Sequence, residues 1–222
     1  IVGFSAHITV NPYQNEIESD KINQNIQKIS KNLIFSNSGE AVIITSNTSK
    51  GILLKGYKSN EFSSLEIFNN NEFLGNNKIL SNNSISLGKE LSFTLDLDIG
   101  DSVTLMSSAG METIIGNLPK QKTFVITSIF ESGMLEFDNN IAFINLETLE
   151  EFFNLNQKDR NLEIFLKNPQ NIEYQKSLVQ NQFPNEFVYS WSDMNNSLFS
   201  ALKVERNVMF IILSLIIIVA AF

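Results

Sequence analysis

Apolar residues at helical spacing define the first recognisable unit of this chain. They recur every three or four positions between residues 19 and 33, which predicts a helix whose start Ser19 or Asp20 can cap. A short apolar run at 6–10 precedes this helix, and a continuous one at 41–45 follows it. Both runs are typical of strands, so the first fifty residues predict a β-α-β unit.

The same order of elements recurs near the other end of the chain. Residues 161–167 predict a strand, Pro169 opens a helix that runs to about residue 181, and residues 187–189 predict another short strand. Two β-α-β units far apart in the sequence predict one α+β layer with a second unit inserted between its halves.

The inserted stretch, residues 51–157, consists mostly of strand-like runs separated by turn residues. We expect it to form an all-β subdomain. A short helix at 149–153 is predicted to end it.

One stretch of the insert departs from this pattern. Two strand-like runs, 103–107 and 123–130, flank a segment that we expect to continue neither strand. Three residues interrupt the strand pattern: Gly110, Gly116 and Pro119. The segment also contains three apolar residues that a solvent-exposed loop does not require: Met111, Ile114 and Ile115. The combination predicts a projecting hairpin that contacts a partner, and the alternative is that these side chains fold back on the sheet as core.

The end of the chain is uniformly apolar. From Ser192 and Asp193, which are good helix N-caps, to residue 222 there is neither Pro nor Gly, so one continuous helix is expected. Its last part, 208–222, has no charged residue, which predicts the beginning of a transmembrane helix. A buried C-terminal helix is the alternative. The chain also lacks an initial Met, so we interpret it as a piece of a longer protein.

Charge and cysteine content exclude several classes of function. The net charge of −8 argues against nucleic-acid binding, which needs clustered Lys and Arg. Because the chain has no Cys, disulfides and thiolate metal sites are excluded.

Motifs for catalysis or nucleotide binding are not found in the sequence. The lone His7 lies in a predicted strand and is expected to be structural. Gly88 and Lys89 are reminiscent of a phosphate-binding loop, but Glu90 stands where Ser or Thr is required. We therefore expect neither an enzyme nor a cofactor or metal site.

Three acidic residues resemble the start of a calcium loop at first sight: Asp96, Asp98 and Asp101, but Gly100 stands at the fifth position, where the loop needs Asp or Asn. The loop pattern requires Gly at the position of Asp101 and a Glu further on, and both are missing. We therefore predict a turn in which Gly100 adopts a positive φ.

Four segments together resemble a known family. They are LGKELSFTLDLDIGDSVTLMS (87–107), TIIGNLPKQKTF (113–124), SIFESGMLEFD (128–138) and ALKVERNVMFIILSLIIIVAAF (201–222). The first is similar to the periplasmic core domain shared by MacB-like and FtsX-like permeases. The others are similar to the lipoprotein-releasing ABC transporter permeases of the LolC/LolE family, and 201–222 matches the start of their second transmembrane helix.

The resemblance implies a fold. Residues 1–50 and 158–200 would form the α+β subdomain called Porter, and 51–157 the inserted β-rich subdomain called Sabre. Residues 201–222 would be a stalk that enters the membrane. The segment would then be mostly periplasmic, attached to the inner membrane of a Gram-negative bacterium.

The resemblance also implies partners. In the family, two permease subunits work with a separate cytoplasmic LolD-type ATPase, so this chain would not itself be catalytic. They extract lipoproteins from the inner membrane and pass them to a LolA-type periplasmic carrier, which docks on a hairpin called the hook. The hook favours the LolC branch, or a hybrid permease that serves both roles, over LolE.

Carried onto this chain, the hook would span 107–117. Its carrier-binding residues would be Met111, Thr113, Ile114, Ile115 and Gly116. The base, or pad, would be formed by Pro119, Gln121 and Lys122. The chain departs from the family pattern at Ile114 and Ile115, where a Pro is common, and its loop is one residue shorter. The alternatives are a MacB-like efflux permease and an FtsX-type regulatory ectodomain.

Overall fold

The computed structural model describes the chain except residues 1–4, 14–15, 19, 21, 47, 66–72, 76–79, 114–115 and 222. Its strands are β1 (Ile8–Asn11), β2 (Ser30–Ile44), β3 (Ser49–Tyr57), β4 (Phe73–Leu74), β5 (Ser84–Gly88), β6 (Ser102–Thr113), β7 (Gly116–Phe130), β8 (Ile141–Asn145), β9 (Asn161–Leu166) and β10 (Phe187–Ser190). Its α-helices are α1 (Gln24–Ile29), α2 (Ser59–Phe62), α3 (Lys89–Leu95), α4 (Leu135–Asn140), α5 (Leu146–Phe153), α6 (Ile172–Gln182), α7 (Trp191–Met194) and α8 (Asn196–Ala221). Single 3₁₀ turns precede β9 and α6.

A four-stranded antiparallel layer brings the two ends of the chain together. Its strand order is β10-β1-β9-β2, so the β-α-β units predicted at the two ends share one layer. Residues of α1 and α6 pack on this layer, with Ile26 and Val179 buried among the apolar side chains of β1 and β9. The order of elements predicted for both ends is therefore confirmed.

Six strands close into a ring beside this layer. The order is β2-β3-β8-β5-β7-β6, and β6 pairs with β2 to complete the circle. The interior is filled by alternate apolar residues of every strand, such as Ile43, Leu105 and Phe124. Leu91 of α3 and Phe152 of α5 join the same core. The ring is thus a small filled barrel, and part of its outer face is covered by a second cluster that includes Tyr57, Phe130 and Phe143.

Strand β2 belongs to both parts. Its first half, from Ser30 to Ser36, pairs with β9 of the layer, and its second half pairs with β3 and β6 of the ring. Gly39 lies where the ring of Phe153 from α5 crosses the strand, since a Cβ there would lie 2.8 Å from that aromatic ring. A continuous strand of 15 residues therefore links the layer to the ring.

A buried polar cluster reinforces this link. Glu163 of β9 accepts hydrogen bonds from Ser36 Oγ at 2.7 Å and from Tyr57 Oη at 2.8 Å. Lys55 Nζ lies 2.9 Å from the same carboxylate. The cluster joins β9 of the layer to β3 of the ring across β2.

Three predictions about secondary structure were wrong. The first helix ends at Ile29, and Leu33 lies in β2 opposite Ile164, because pairing with β9 outweighs the helical spacing of the apolar residues. The alternating residues before Asp96, one of the strand-like runs from which the insert was predicted to be all-β, form helix α3. With α2 to α5 inside it, the insert is β-rich but not all-β.

The C-terminal segment also differs from the expected single helix. The Ser190 side chain accepts from the Asp193 amide and starts the short helix α7. Asn195 (φ −110°, ψ 28°) interrupts the helical backbone, and α8 begins at Asn196. None of the helices in the described residues is both long and apolar enough to cross a bilayer.

Candidate hairpin docking site

The arms of the β6–β7 hairpin extend beyond the ring. The pairing of β6 with β2 ends at Ser107, and the pairing of β7 with β5 begins only at Val125. Between these limits β6 and β7 pair with each other, from Ser107 opposite Lys120 to Thr113 opposite Gly116. The projecting hairpin expected from the sequence is therefore present as a two-stranded ribbon.

The expectation that this segment continues neither strand was wrong. Gly110 lies in β6, and Gly116 and Pro119 lie in β7. The pairing register of β6 and β7 shifts between Ser107 and Met111. Pro119 falls in this irregular interval, so its missing N–H removes no regular hydrogen bond of the ladder.

The structure brings the backbone of the predicted tip residues together. Met111 and Thr113 end one arm, and Gly116 begins the other, opposite Thr113. Ile114 and Ile115 lie outside the described residues. Their predicted role in carrier binding stays a prediction.

A groove lies on the outer face of the ring at the foot of this hairpin. We call it the hairpin-base groove; it measures about 620 Å³ and is lined by residues 40–42 of β2, 51–53 of β3, Met106, Ser107, Pro119 and Asn140. Apolar side chains predominate in this lining, and Leu53 is 37% exposed. Pro119, predicted as part of the pad, is thus a wall of the groove.

The other two predicted pad residues are arranged differently. The Gln121 amide lies 3.8 Å from Met106 Sδ, which places it beside the groove. Lys122 lies towards α5, with its ammonium 5.6 Å from the centroid of the Phe124 ring. The predicted pad is therefore divided between the groove and the side of the ring that α5 covers.

That second side is a small basic cleft of about 200 Å³. It is lined by Lys120, Gln121, Lys122 and three residues of α5, which are Thr148, Glu151 and Phe152. The Lys120 ammonium donates to the backbone carbonyl of Glu151 and, at 3.2 Å, to Asn154 Oδ1. These contacts fix one lysine, whereas Lys122 has its ammonium over the Phe124 ring.

The residues screened for chemistry have structural surroundings. His7 Nδ1 accepts from the Leu166 amide at 3.0 Å, which holds β1 against β9. Gly100 has φ 99° and donates to the Ile126 carbonyl, so the predicted turn is confirmed. Among the described residues, no group of three or more His, Asp or Glu side chains is placed to bind a metal ion.

Sequence reasoning did not find the part of the groove that β2 and β3 supply. These residues reach the hairpin only because β6 pairs with β2 through Val42 opposite Met106, and β2 pairs with β3 through Val42 opposite Gly51. Gly51, the third residue of β3, is a sequence signal for this place, since a glycine within a strand indicates close approach of another group.

Comparison with known proteins relates the chain to one group. No family model matches it. The lipoprotein-releasing system transmembrane protein LolC of Xylella fastidiosa is 33% identical over 137 residues, which is 61% of this chain and 33% of that protein. LolC of Neisseria meningitidis is 31% identical over 138 residues, with 61% of this chain and 33% of that protein covered.

A third relative aligns over nearly the whole chain. LolC of Buchnera aphidicola is 26% identical over 220 residues, which is 97% of this chain and 54% of that protein. The chain thus spans between a third and about half the length of these curated relatives.

Solved structures show the same fold. The periplasmic region of MacB from Actinobacillus actinomycetemcomitans superposes with a TM-score of 0.52 and 10% identity, covering 88% of this chain and 94% of that one. At this identity the similarity establishes the fold alone.

Proposed function

We propose that this chain is the periplasmic domain of a LolC-like ABC permease and that it docks a LolA-type periplasmic carrier on its β6–β7 hairpin. The permease would release lipoproteins from the inner membrane and pass them to that carrier. The single observation that supports docking is the ribbon beyond Ser107, which projects from the ring with a groove at its foot.

The geometry suits a site for a protein partner. Apolar and basic surfaces lie side by side at the base of the hairpin, the first around Pro119 and the second around Lys122. A projecting element with an apolar centre and a charged margin has the composition of a protein interface. In a chain of net charge −8, a basic margin would also select a partner with acidic residues at this place.

The subdomain layout is part of the same proposal. The layer β10-β1-β9-β2 would correspond to the Porter-like subdomain of 1–50 and 158–200, and the ring to the Sabre-like subdomain of 51–157. ATP hydrolysis would occur in a separate LolD-type subunit, with a second permease subunit and the lipoprotein completing the complex. Helix α8 would lead towards the membrane from the layer.

The fold by itself also fits a MacB-like efflux permease. The sequence identity of 26–33% to proteins named LolC, against 10% to MacB, favours the lipoprotein-releasing role.

Carrier binding by an Ile115→Asp variant tests the proposal. We expect the unaltered chain to bind the LolA-type carrier of the same bacterium in biolayer interferometry, and Ile115→Asp to abolish binding with an unchanged circular dichroism spectrum. Tyr174→Asp is the matched control, because Tyr174 is exposed on α6, which packs on the four-stranded layer and lines neither the groove nor the hairpin. Equal binding by all three proteins would refute the docking role.

A further inference from the structure

We propose that the hairpin-base groove receives an apolar side chain of the protein that is seated on the hairpin. This inference rests on the proposed carrier docking and adds to the predicted pad an apolar pocket whose walls come from β2 and β3. The groove residues that matter are Val42, Gly51, Leu53 and Met106.

The shape of the groove depends on a missing side chain. A Cβ built on Gly51 meets no atom within 4 Å, so the space above this strand residue is empty. Val42 pairs with Gly51 on one side and with Met106 on the other, which places their side chains along the walls. The space above Gly51 is therefore an opening into which a partner's side chain fits without displacing the fold.

The backbone of β2 leaves no free edge for strand addition in the groove. β2 is paired on both sides at this level, with β3 and with β6. Its N–H and C=O groups are thus engaged, whereas a peptide that adds a strand needs a free sheet edge. Over β2, recognition therefore comes from side-chain burial.

The position of the groove identifies which partner can cover it. Ser107 and Pro119, the residues at which the hairpin leaves the ring, are themselves part of its lining. A protein seated on the hairpin therefore passes over the groove and shields it from water. A lipid chain lying there alone would keep one side in water, so it gains less from burial than a side chain under a protein cover.

The composition of the margin agrees with this role. Glu40 and Asn140 stand at the rim of an otherwise mostly apolar lining. An apolar centre with a polar rim is the usual arrangement at the anchor point of a protein interface.

Filling the groove tests the inference. The dissociation constant of the LolA-type carrier is measured for the unaltered chain, Gly51→Leu, Gly51→Ala and Ile115→Asp. We expect Gly51→Leu to weaken binding about tenfold or more, Gly51→Ala to have little effect, and both to keep the urea midpoint of the unaltered chain. Leu53→Ser, which removes a wall without filling the space, is expected to weaken binding in the same way.

The outcomes separate the two proposals. If Ile115→Asp loses the carrier while Gly51→Leu and Leu53→Ser bind it normally, docking stands and the groove inference is wrong. If the unaltered chain does not bind the carrier, both are wrong. If the fluorescent fatty acid cis-parinaric acid binds the chain and Gly51→Leu blocks it with carrier binding intact, the groove is a lipid site and the inference is overturned.

Discussion

The ammonium of Lys55 lies 2.9 Å from the carboxylate of Glu163, and Glu163 is only 4% exposed. Burial alone would raise the pKa of Glu163, but the charge of Lys55 and hydrogen bonds from Ser36, Lys55 and Tyr57 outweigh it and leave the pKa below its usual value. Burial alone would lower the pKa of Lys55, and Glu163 reverses that effect. The pair is therefore ionised in the native protein and ties β3 to β9.

Removing one charge of this pair is expected to destabilise the protein. In Glu163→Gln the Lys55 ammonium remains largely buried without its counter-ion, so we expect a loss of about 3 kcal/mol in the free energy of unfolding. Urea denaturation followed by the fluorescence of Trp191, the only Trp of the chain, measures it.

Two further variants make this test specific. Lys55→Met/Glu163→Gln removes both charges and should be more stable than Glu163→Gln alone. Glu131→Gln is the control, because Glu131 forms an ion pair at the surface, with its carboxylate 2.6 Å from the Lys89 ammonium. Removing this surface charge should leave the urea midpoint unchanged. Equal midpoints for Glu163→Gln and the unaltered protein would contradict the role assigned to the cluster.

The same pair gives the stability a defined pH dependence. Because the folded-state pKa of Glu163 lies below its unfolded value, near 4.3, its contribution is fully present above that value and is lost as pH falls through the folded-state pKa. The stability difference between the unaltered protein and Glu163→Gln should stay constant from about pH 7 to 5 and shrink below about pH 4. Urea titrations at several pH values measure the difference, and a gap that is independent of pH down to 3 would argue against this assignment.

Two strand glycines are expected to respond oppositely to the same substitution. A Cβ on Gly88 would lie 2.0 Å from the backbone carbonyl oxygen of Asp138 in α4, whereas a Cβ on Gly51 meets open space. Gly88→Ala should therefore cost at least about 2 kcal/mol through overpacking, and Gly51→Ala should be nearly neutral. Thermal unfolding by circular dichroism compares the two, and similar melting temperatures would show that α4 moves away freely.

The basic cleft predicts a charge effect on carrier binding. Reversing the charge with Lys122→Glu should slow association with the carrier about tenfold at low salt and much less at high salt, because a rim charge acts mainly through steering. Stopped-flow association at two ionic strengths measures this. Lys28→Glu is the control, since Lys28 is exposed in α1 of the layer. A salt-independent effect, or an equal effect in the control, would count against a contact at this cleft.

The sequence predicted the elements that depend on local spacing. The two β-α-β units and the turn at Gly100 follow from patterns within a dozen residues, and the structure has them. Helix α3 was missed because apolar and polar residues alternate before Asp96. In the structure Leu91 and Leu95, four residues apart, are buried while Phe93 is 84% exposed.

The groove could not be predicted for a different reason. Its walls come from β2, β3 and the β6–β7 hairpin, and they meet only where β6 closes the ring on β2. This closure joins residues about sixty positions apart in the sequence, such as Val42 and Met106. The spacing of apolar residues within one strand does not indicate which distant strand it pairs with. The sequence could indicate the hairpin as a contact element, but not the surface beside it.

The shared strand β2 restricts how this protein can change in length. Because side chains alternate between the two faces of a strand, deleting one residue between Ser36 and Ala41 would turn every later core residue of β2, such as Ile43, towards solvent. The same deletion would shift β2 against β3 and β6 together. Length variation among related sequences is therefore expected at the hairpin tip and to be absent from β2, so this strand fixes the spacing between the four-stranded layer and the β6–β7 hairpin.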